Sequence, residues 1–357
     1  MLYVDRSLSI FHFSLVQMRF SVIIPIYNRP GELRELLDSL TKQTVLPFEI
    51  LVIEDGSTVK ADGVVKEFAD RLPVRYFFKS NSGQGFTRNY GFERATGDYF
   101  VIFDSDAIIP PHYFETVTKH LQRQADSQLP LDAYGGPDAA HPNFTPIQKA
   151  ISYSMTSPFT TGGIRGGKKN LGGTFHPRSF NMGLSRKVWE TVGGYRITRM
   201  GEDIEFAIRI IENGFRTGLI PDAFIYHKRR TNFGQFFRQL RFFGRARINI
   251  SRFYPAELKL VHLFPALFTL GVVSVPVWRL ISPILFACAI TIFSVFSMLI
   301  LIDGTRKEKS LTVGLLSVVA AFVQLIGYGT GFMQEGWKRW REPKGFHETG
   351  VDVEYPS

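Results

Sequence analysis

The segment Tyr99–Ala107 reads YFVIFDSDA and joins a short apolar run to two carboxylates. The run Tyr99–Phe103 is rich in aromatic and β-branched residues, which is typical of a strand buried in a parallel sheet. Asp104 and Asp106 follow it directly, one residue apart. At a strand end such a pair can hold a hard divalent cation, Mg²⁺ or Mn²⁺, which in turn binds a diphosphate. The alternative is a solvated turn, and the preceding strand favours the cation site.

Three more apolar runs precede this segment and alternate with helical patterns. We predict strands at Phe20–Ile26 (FSVIIPI), Phe48–Ile53 (FEILVI) and Val74–Phe78, with helices at Glu32–Thr41 and Thr87–Ala95. Strands that alternate with helices predict an α/β fold with a mostly parallel sheet and helices on both faces.

Polar residues stand at the ends of the first two predicted strands, as they do at the end of Tyr99–Phe103. They are Pro25, Tyr27, Asn28 and Arg29 for the first strand, and Glu54 and Asp55 for the second. Ligands of parallel sheets bind beyond the carboxyl ends of the strands. We therefore expect these groups and the aspartate pair to face one crevice.

The glycine-rich turn Gly83–Asn89 (GQGFTRN) lies before the predicted helix Thr87–Ala95. It is not a dinucleotide-binding fingerprint, because the third glycine is missing and the turn follows the third strand rather than the first. We therefore exclude a dehydrogenase of that type. Arg88, near the helix start, is suited to contact a phosphate, and the alternative is an ion pair on the helix surface.

The tripeptide Gly201-Glu202-Asp203 opens a predicted helix over Glu202–Glu212. Acids at a helix N-terminus often do no more than cap the helix dipole. A carboxylate held there would also suit the general base for an acceptor hydroxyl. His227 follows a predicted strand at Leu219–Tyr226, and we leave open whether it binds a metal or phosphate or is an ordinary hydrogen-bonded histidine.

The C-terminal third changes character. Basic residues interleave with phenylalanines over Lys228–Lys259, and three apolar segments follow at Val261–Trp278, Leu280–Ile302 and Leu311–Met333. Because hydrocarbon-length segments follow at once, we predict a membrane-surface helix and no nucleic-acid partner. The second and third segments are long enough to cross a bilayer and the first is marginal, so two to three transmembrane helices are expected.

The whole chain of 357 residues has a formal net charge of +10 and one cysteine, Cys288, which excludes an intramolecular disulfide. We predict a catalytic domain over residues 19–230, a basic amphipathic interfacial segment over 231–260, transmembrane helices over 261–333 and a tail over 334–357. Residues 1–18 are expected to be a non-native or disordered extension with translation starting at Met18, and an interfacial segment is the alternative. Glycine pairs within Tyr134–Arg199 predict loops.

Five motifs together resemble the family-2 inverting glycosyltransferases of the GT-A fold. They are VIIPIYNRP, VIEDGS, GQGFTRNYG, FDSDA and GED, in the family's order and spacing over Phe20–His227. The resemblance implies a nucleoside-diphosphate-sugar donor, UDP- or GDP-linked, and a divalent cation. Where the family often has two aspartates this chain has Glu54-Asp55. The processive-synthase signature QxxRW is not matched by Gln239–Phe242, which favours transfer of a single sugar.

The same resemblance implies a role for each candidate residue. Asp203 is the implied catalytic base, with Glu202 supporting it, and Asp106 is the implied metal ligand, with Asp104 at the ribose or sugar and His227 as a further candidate metal ligand. The implied nucleotide-sugar-binding residues are Pro25, Tyr27, Asn28, Arg29, Glu54, Asp55, Gly83, Arg88 and Asp104.

The expected activity is inverting sugar transfer to a hydroxyl of a glycan or lipid-linked acceptor, in glycan or cell-envelope polysaccharide synthesis. Two alternatives stay open: a polyprenyl-phosphate glycosyltransferase and a catalytically silent nucleotide-binding membrane scaffold. We expect the chain in a bacterial-type inner membrane with its catalytic domain in the cytoplasm, where nucleotide sugars are made. Basic residues in the loop Asp303–Ser310 and after the last apolar segment conflict, so the side of the tail stays open.

Overall fold

The computed structural model describes residues 18–161 and 175–341. The strands of this part of the chain are β1 (Phe20–Ile26), β2 (Glu49–Asp55), β3 (Val74–Lys79), β4 (Tyr99–Phe103), β5 (Ala107–Ile108), β6 (Ala133–Gly135), β7 (Asp138–Ala139), β8 (Asn181–Ser185), β9 (Thr217–Leu219) and β10 (Ile225–His227). Its α-helices are α1 (Pro30–Leu40), α2 (Asp62–Phe68), α3 (Gln84–Phe92), α4 (Tyr113–Asp126), α5 (Pro146–Thr156), α6 (Pro158–Thr161), α7 (Arg186–Val192), α8 (Glu202–Glu212), α9 (Phe233–Phe253), α10 (Phe264–Ile281), α11 (Pro283–Glu308) and α12 (Leu311–Arg341).

The main sheet has seven strands in the order β3-β2-β1-β4-β8-β6-β9. The pairs β1–β2, β1–β4, β2–β3 and β6–β9 are parallel, whereas β8 is antiparallel to both β4 and β6. The predicted mostly parallel α/β sheet is therefore confirmed. A second sheet, β5-β10-β7, stands just beyond the end of β4 and pairs His227 with Ala107.

Helices cover both faces of the main sheet, because its inner strands are apolar on both sides. Along β1, Val22 and Ile24 join the core that contains α1, α2 and α4, while Ile23 faces the core of α3, α7 and α8. All three side chains are fully buried. The parallel strands β1, β2 and β4 thus end between two helical layers, and the polar residues at their C-terminal ends are left at one edge.

The strand predicted over Leu219–Tyr226 is wrong. The chain forms two short strands there, β9 in the main sheet and β10 in the second, and residues 220–224 connect them. Pro221 lies in this connection and has no N–H for a ladder hydrogen bond, so one continuous strand is disfavoured. The break carries the chain from the main sheet to the second sheet and thereby positions His227.

Other predicted boundaries shift. The middle region Tyr134–Arg199 contains β8 and helices α5 and α7 as well as loops, while the glycine pairs at 162–163, 166–167 and 172–173 lie outside the described residues. The basic loop predicted over Asp303–Ser310 is mostly helical, because α11 continues to Glu308. Residues 334–341 of the predicted tail are the last turns of α12, and residues 1–17 and 342–357 are not described.

The C-terminal helices pack on the α/β domain. Three helical segments, Leu260–Ile281, Pro283–Glu308 and Leu311–Arg341, are long and apolar enough to cross a membrane. Of these, α12 lies along α9, and glycines make the approach close. A Cβ on Gly244 would stand 2.1 Å from the carbonyl oxygen of Tyr328, and one on Gly331 would stand 2.0 Å from that of Arg241.

This contact gives a first testable prediction. We expect Gly331→Ala to destabilise the protein by about 1–3 kcal/mol, because a new methyl group would force α9 and α12 apart. Gly336→Ala, in the same helix, is the matched control, since a Cβ there meets no atom within 4 Å. The thermal unfolding midpoints of the two variants in detergent provide the comparison, and equal midpoints would contradict a close α9–α12 contact.

Candidate active site

One large cleft, with a volume of about 1740 Å³, opens at the carboxyl edge of the main sheet. The ends of β1, β2 and β4 contribute Tyr27, Asp55 and the aspartate pair Asp104 and Asp106 to its lining. The predicted meeting of three strand ends is therefore present. From there the cleft extends past the start of α8 to α9, α10 and α12.

A potential metal-ligand set lies at the end of β4. One ligand atom from each of Asp104, Asp106 and His227 lies within 4.8 Å of the others. The pairing of β10 with β5 brings His227 to this point, and its ring stacks on Phe180 at a centroid distance of 5.3 Å. Two carboxylates and an imidazole fit a divalent cation, since all three are ordinary ligands of such ions.

Neighbouring groups shift the pKa values of Asp106 and His227. Asp106 accepts hydrogen bonds from Arg29 at 3.1 Å and pairs with His227 at 3.0 Å. Burial opposes ionisation of Asp106, but His227 and Arg29 outweigh it and hold the pKa of this carboxyl below its usual range. Burial likewise opposes protonation of His227, yet the neighbouring Asp106 raises the pKa of the imidazole.

The predicted nucleotide residues divide into two groups. The first group lines the cleft and consists of Pro25, Tyr27, Arg29, Asp55, Gly83, Arg88 and Asp104.

The second group, Glu54 and Asn28, does not line the cleft. Glu54 is fully buried on the opposite side of β2, where it accepts hydrogen bonds from the Tyr76 hydroxyl and from the amide of Ala61 at 2.9 Å. Asn28 accepts from the amides of Thr58 and Val59 and so shapes the loop after β2. Neither Glu54 nor Asn28 is among the lining residues of the cleft.

Asp55 organises the turn that precedes α3. Its carboxylate accepts from the amides of Ser82 and Gly83, both at 2.9 Å, and from the Lys79 ammonium at 2.6 Å. Gly83 has a φ of +84°, a backbone conformation that side-chain-bearing residues rarely adopt. The turn is therefore fixed beside the cleft from the β2 side.

Arg88 lies at the centre of the site. The guanidinium is 1% exposed, donates to Asp104 at 2.9 Å and to Glu202 at 3.4 Å, and stands over the ring of Tyr195. The alternative of an ion pair on the helix surface is therefore wrong. Arg88 joins the β4 carboxylate to the start of α8 across the floor of the cleft.

The two acids at the start of α8 have different environments. Gly201, with a φ of +99°, turns the backbone so that Glu202 points inward, where Gln84 and Arg88 contact it. Burial, with the charge of Asp203 beside it, raises the pKa of Glu202 to about 7. Asp203 is more accessible, with 24% of its side chain exposed, and it pairs with Arg178 at 3.1 Å. Its carboxylate faces the cleft, as a base for an incoming hydroxyl must.

Sequence reasoning did not single out Arg178, Gln84 or Arg230 as site residues, although all three line the cleft. Burial lowers the pKa of Arg230, and its charge lies close enough to interact with Asp106, Arg29 and Asp104. The run His227–Arg230 directly after a predicted strand was a usable signal for this arginine. Arg178 had no such signal, because only tertiary packing brings it to Asp203.

Comparisons with known proteins match this chain to glycosyltransferases. A family model, "Glycosyl transferase family 2", matches residues 21–190. The uncharacterized glycosyltransferase YibD of Escherichia coli (strain K12) is 39% identical over 100 residues, 28% of this chain and 29% of that protein. The glycosyltransferase GlyA of Streptococcus pneumoniae serotype 4 is 38% identical over 114 residues, 31% of this chain and 16% of that protein. The matched stretches thus span less than a third of these relatives.

Among solved structures, the mannosyltransferase PcManGT from Pyrobaculum calidifontis, in complex with GDP-Man and Mn2+, has a TM-score of 0.59 at 18% identity. The match covers 85% of this chain and 87% of that one, and it confirms the GT-A fold. Residues 21–190 thus resemble glycosyl transferase family 2, in agreement with the resemblance found in the motifs. The activity of the chain and the roles of its individual residues stay predictions.

Proposed function

We propose that the chain transfers a single sugar, with inversion, from a UDP- or GDP-linked donor to a hydroxyl of an acceptor, with the help of a divalent cation. The observation that carries this proposal is one cleft lined by both a metal-ligand set, Asp104, Asp106 and His227, and an accessible carboxylate, Asp203. Support comes from the solved neighbour of the same fold, whose complex contains GDP-Man and Mn2+.

The donor side of the cleft suits a nucleoside diphosphate. Asp104, Asp106 and His227 would hold the cation, whose contribution is to neutralise charge on the departing diphosphate. Arg29 and Arg230 add two more positive charges beside Asp106. Tyr27, with 51% of its surface exposed at the end of β1, offers an aromatic face to the nucleobase.

The acceptor side is organised by Asp203. The acceptor oxygen attacks the anomeric carbon and forms the new glycosidic bond, while the bond from that carbon to the diphosphate oxygen breaks. The hydroxyl proton passes to the Asp203 carboxylate, which Arg178 orients. Glu202, turned inward against Arg88 and Gln84, supports the start of α8 rather than reaching the acceptor.

A donor screen tests the proposal. The full chain, purified in detergent with Mn²⁺ and a membrane lipid extract as acceptor source, is incubated with individual UDP- and GDP-sugars, and free UDP or GDP is measured. We expect release from a small subset of donors. Release from none of them would contradict the enzyme and favour the nucleotide-binding scaffold. If Asp203→Asn loses activity toward a hydroxyl acceptor but keeps it toward an isoprenyl phosphate, the phosphate acceptor needs no base, as for a polyprenyl-phosphate glycosyltransferase.

We also propose that the chain is a membrane protein whose catalytic domain faces the cytoplasm, with α10 and α11 as the helices that enter the bilayer. Apolar side chains at their junction are highly exposed, with Leu280 86% and Ile284 75% exposed. Only 11% and 6% of the apolar windows of these two segments are buried within the protein, against 44% for α12. Burial against protein thus sets α12 apart from the other two.

Contacts at both ends of α12 suggest that this helix stays on the catalytic side. Near its start, Val313 and Ala320 pack with residues of α5. Near its end, Glu335 pairs with Arg245 and Arg252 of α9. Two crossings would leave the basic stretches at residues 306–309 and 338–341 on the same side, which resolves the conflict of charges found in the sequence.

The location of the C-terminus tests this topology. A fluorescent reporter that folds only in the cytoplasm, fused after Ser357, is expected to be active, and a phosphatase that works only outside the cytoplasm is expected to be silent at the same position. The opposite pattern would mean that α12 also crosses the membrane. An active external reporter at the N-terminus would contradict the cytoplasmic catalytic domain itself.

A further inference from the structure

The cleft does not end at Asp203 but continues to the membrane helices. Its far end is lined by apolar residues of three helical segments: Phe243 of α9, Val261 and Phe264 at the start of the first apolar segment, and Leu325 of α12. Val261 and Phe264 are 53% and 49% exposed. This end therefore joins the polar cleft to the surface that hydrocarbon would cover.

Two arginines and a histidine stand where the polar and apolar ends meet. Arg178, Arg247 and His262 all line this part of the cleft, and His262 lies within electrostatic reach of both arginines and of Lys259. Within residues 18–161 and 175–341, Arg247 forms no ion pair and no side-chain hydrogen bond, although it is only partly exposed. A half-buried guanidinium without an anion is a costly arrangement unless a ligand provides one.

Neighbouring contacts fix the positions of His262 and Arg247. The amide of Lys259 donates to Nδ1 of His262 at 3.1 Å, so the neutral imidazole carries its proton on Nε2 and can donate it. Ile250 of α9 packs against Gly201, and Asn249 donates to the carbonyl of Met200 at 3.3 Å. Arg247, on the same helix, is thereby held close to the turn that carries Asp203.

We infer that this end of the cleft binds the phosphate group of a lipid-linked acceptor, with Arg247 and His262 as its ligands and the hydrocarbon chain along Val261, Phe264 and Leu325. The inference rests on the proposed function and names its acceptor class. Positive charge without a matching carboxylate recognises the anion, and the apolar wall open to the bilayer recognises the chain. Binding of the phosphate at this end would position the acceptor hydroxyl near Asp203.

Binding of a lipid phosphate tests the inference without any donor. The full chain is placed in phosphatidylcholine nanodiscs, and binding of a radiolabelled long-chain isoprenyl phosphate is measured for the wild type, Arg247→Gln and His262→Gln. We expect about ten-fold weaker binding for Arg247→Gln, the loss of one charge-assisted contact, and a smaller loss for His262→Gln. Arg241→Gln is the matched control, because Arg241 is an exposed α9 arginine that contacts Gln334 and is not among the lining residues of the cleft. It should bind as the wild type does.

Three outcomes would overturn the inference. The first is unchanged binding in Arg247→Gln. The second is an equal loss in Arg241→Gln, which would indicate general attraction to a basic surface. The third is competition by inorganic phosphate as effective as competition by unlabelled lipid. That result would indicate a phosphate site that does not recognise the hydrocarbon chain of the lipid. The donor screen is a separate measurement. If the protein binds the lipid phosphate but releases no UDP or GDP, the proposed function is contradicted and the lipid-phosphate site is still supported.

Discussion

Asp203→Asn should lower turnover by about 10²–10⁴-fold, the usual cost of removing a general base, while donor affinity changes little. Asparagine preserves the shape of the side chain but cannot take the hydroxyl proton. The proposed donor ligands include residues on the ends of β1, β2 and β4, whereas Asp203 is at the start of α8, so we expect nucleotide binding to have no direct need of its charge. Steady-state release of UDP or GDP and equilibrium binding of the free nucleotide provide the two measurements.

Two further variants make this result specific. Asp126→Asn, an exposed aspartate at the end of α4, is the control and should behave as the wild type. Glu202→Gln should reduce activity mainly through stability, because it removes a buried partner of Arg88. Near-normal turnover in Asp203→Asn together with a large loss in Glu202→Gln at unchanged stability would assign the base to Glu202. If both variants kept their turnover, the base would lie elsewhere.

Removal of the cation is the second change with a large expected effect. Excess EDTA should abolish sugar transfer, and Mn²⁺ or Mg²⁺ should restore it. Asp106→Ala should lose about 10²-fold or more in turnover, since a cation contributes several kcal/mol of transition-state stabilisation, and it should also weaken binding of the nucleoside diphosphate. The variant deprives both Arg29 and His227 of their shared carboxylate, so added metal should not rescue it.

A matched aspartate keeps this test interpretable. Asp70→Ala, outside the lining of the cleft, should retain the wild-type response to both EDTA and added metal. Full activity of the wild type in excess EDTA would remove the cation from the mechanism. Rescue of Asp106→Ala by high Mn²⁺ would show that Asp104 and His227 suffice as ligands.

The first half of the fold was predictable because its signals are local. Buried parallel strands are continuous apolar runs, so β1 and β4 were predicted with the observed limits, and the polar residues that follow them marked the ligand edge. The strand predicted over Leu219–Tyr226 failed because pairing in two different sheets is a tertiary property that apolar content does not encode. The polar character of Glu54 and Asn28 likewise does not reveal whether their side chains line the cleft.

The lining of the cleft was predictable at the strand ends and less so elsewhere. Motif residues lie at strand ends, whose direction follows from the parallel sheet, whereas Arg178 reaches the cleft from a segment without a recognisable pattern. The basic pattern over Lys228–Lys259 predicts a surface helix but does not indicate that Arg247 lines the cleft. The same limit applies to α12. Its length and apolar composition are those of a membrane span, but its glycines allow close packing against α9, which reduces the surface of α12 that could contact lipid.

The buried arginine between the two halves of the site has a consequence for entropy. Arg88 is already ordered by Asp104 and Glu202, so neither carboxylate must lose conformational freedom when the donor binds. Long charged side chains lose about 1.5–2 kcal/mol of rotamer freedom when they become fixed, and here that loss is incurred during folding. Binding energy from the nucleotide can then be used to position the sugar rather than to assemble the site around it.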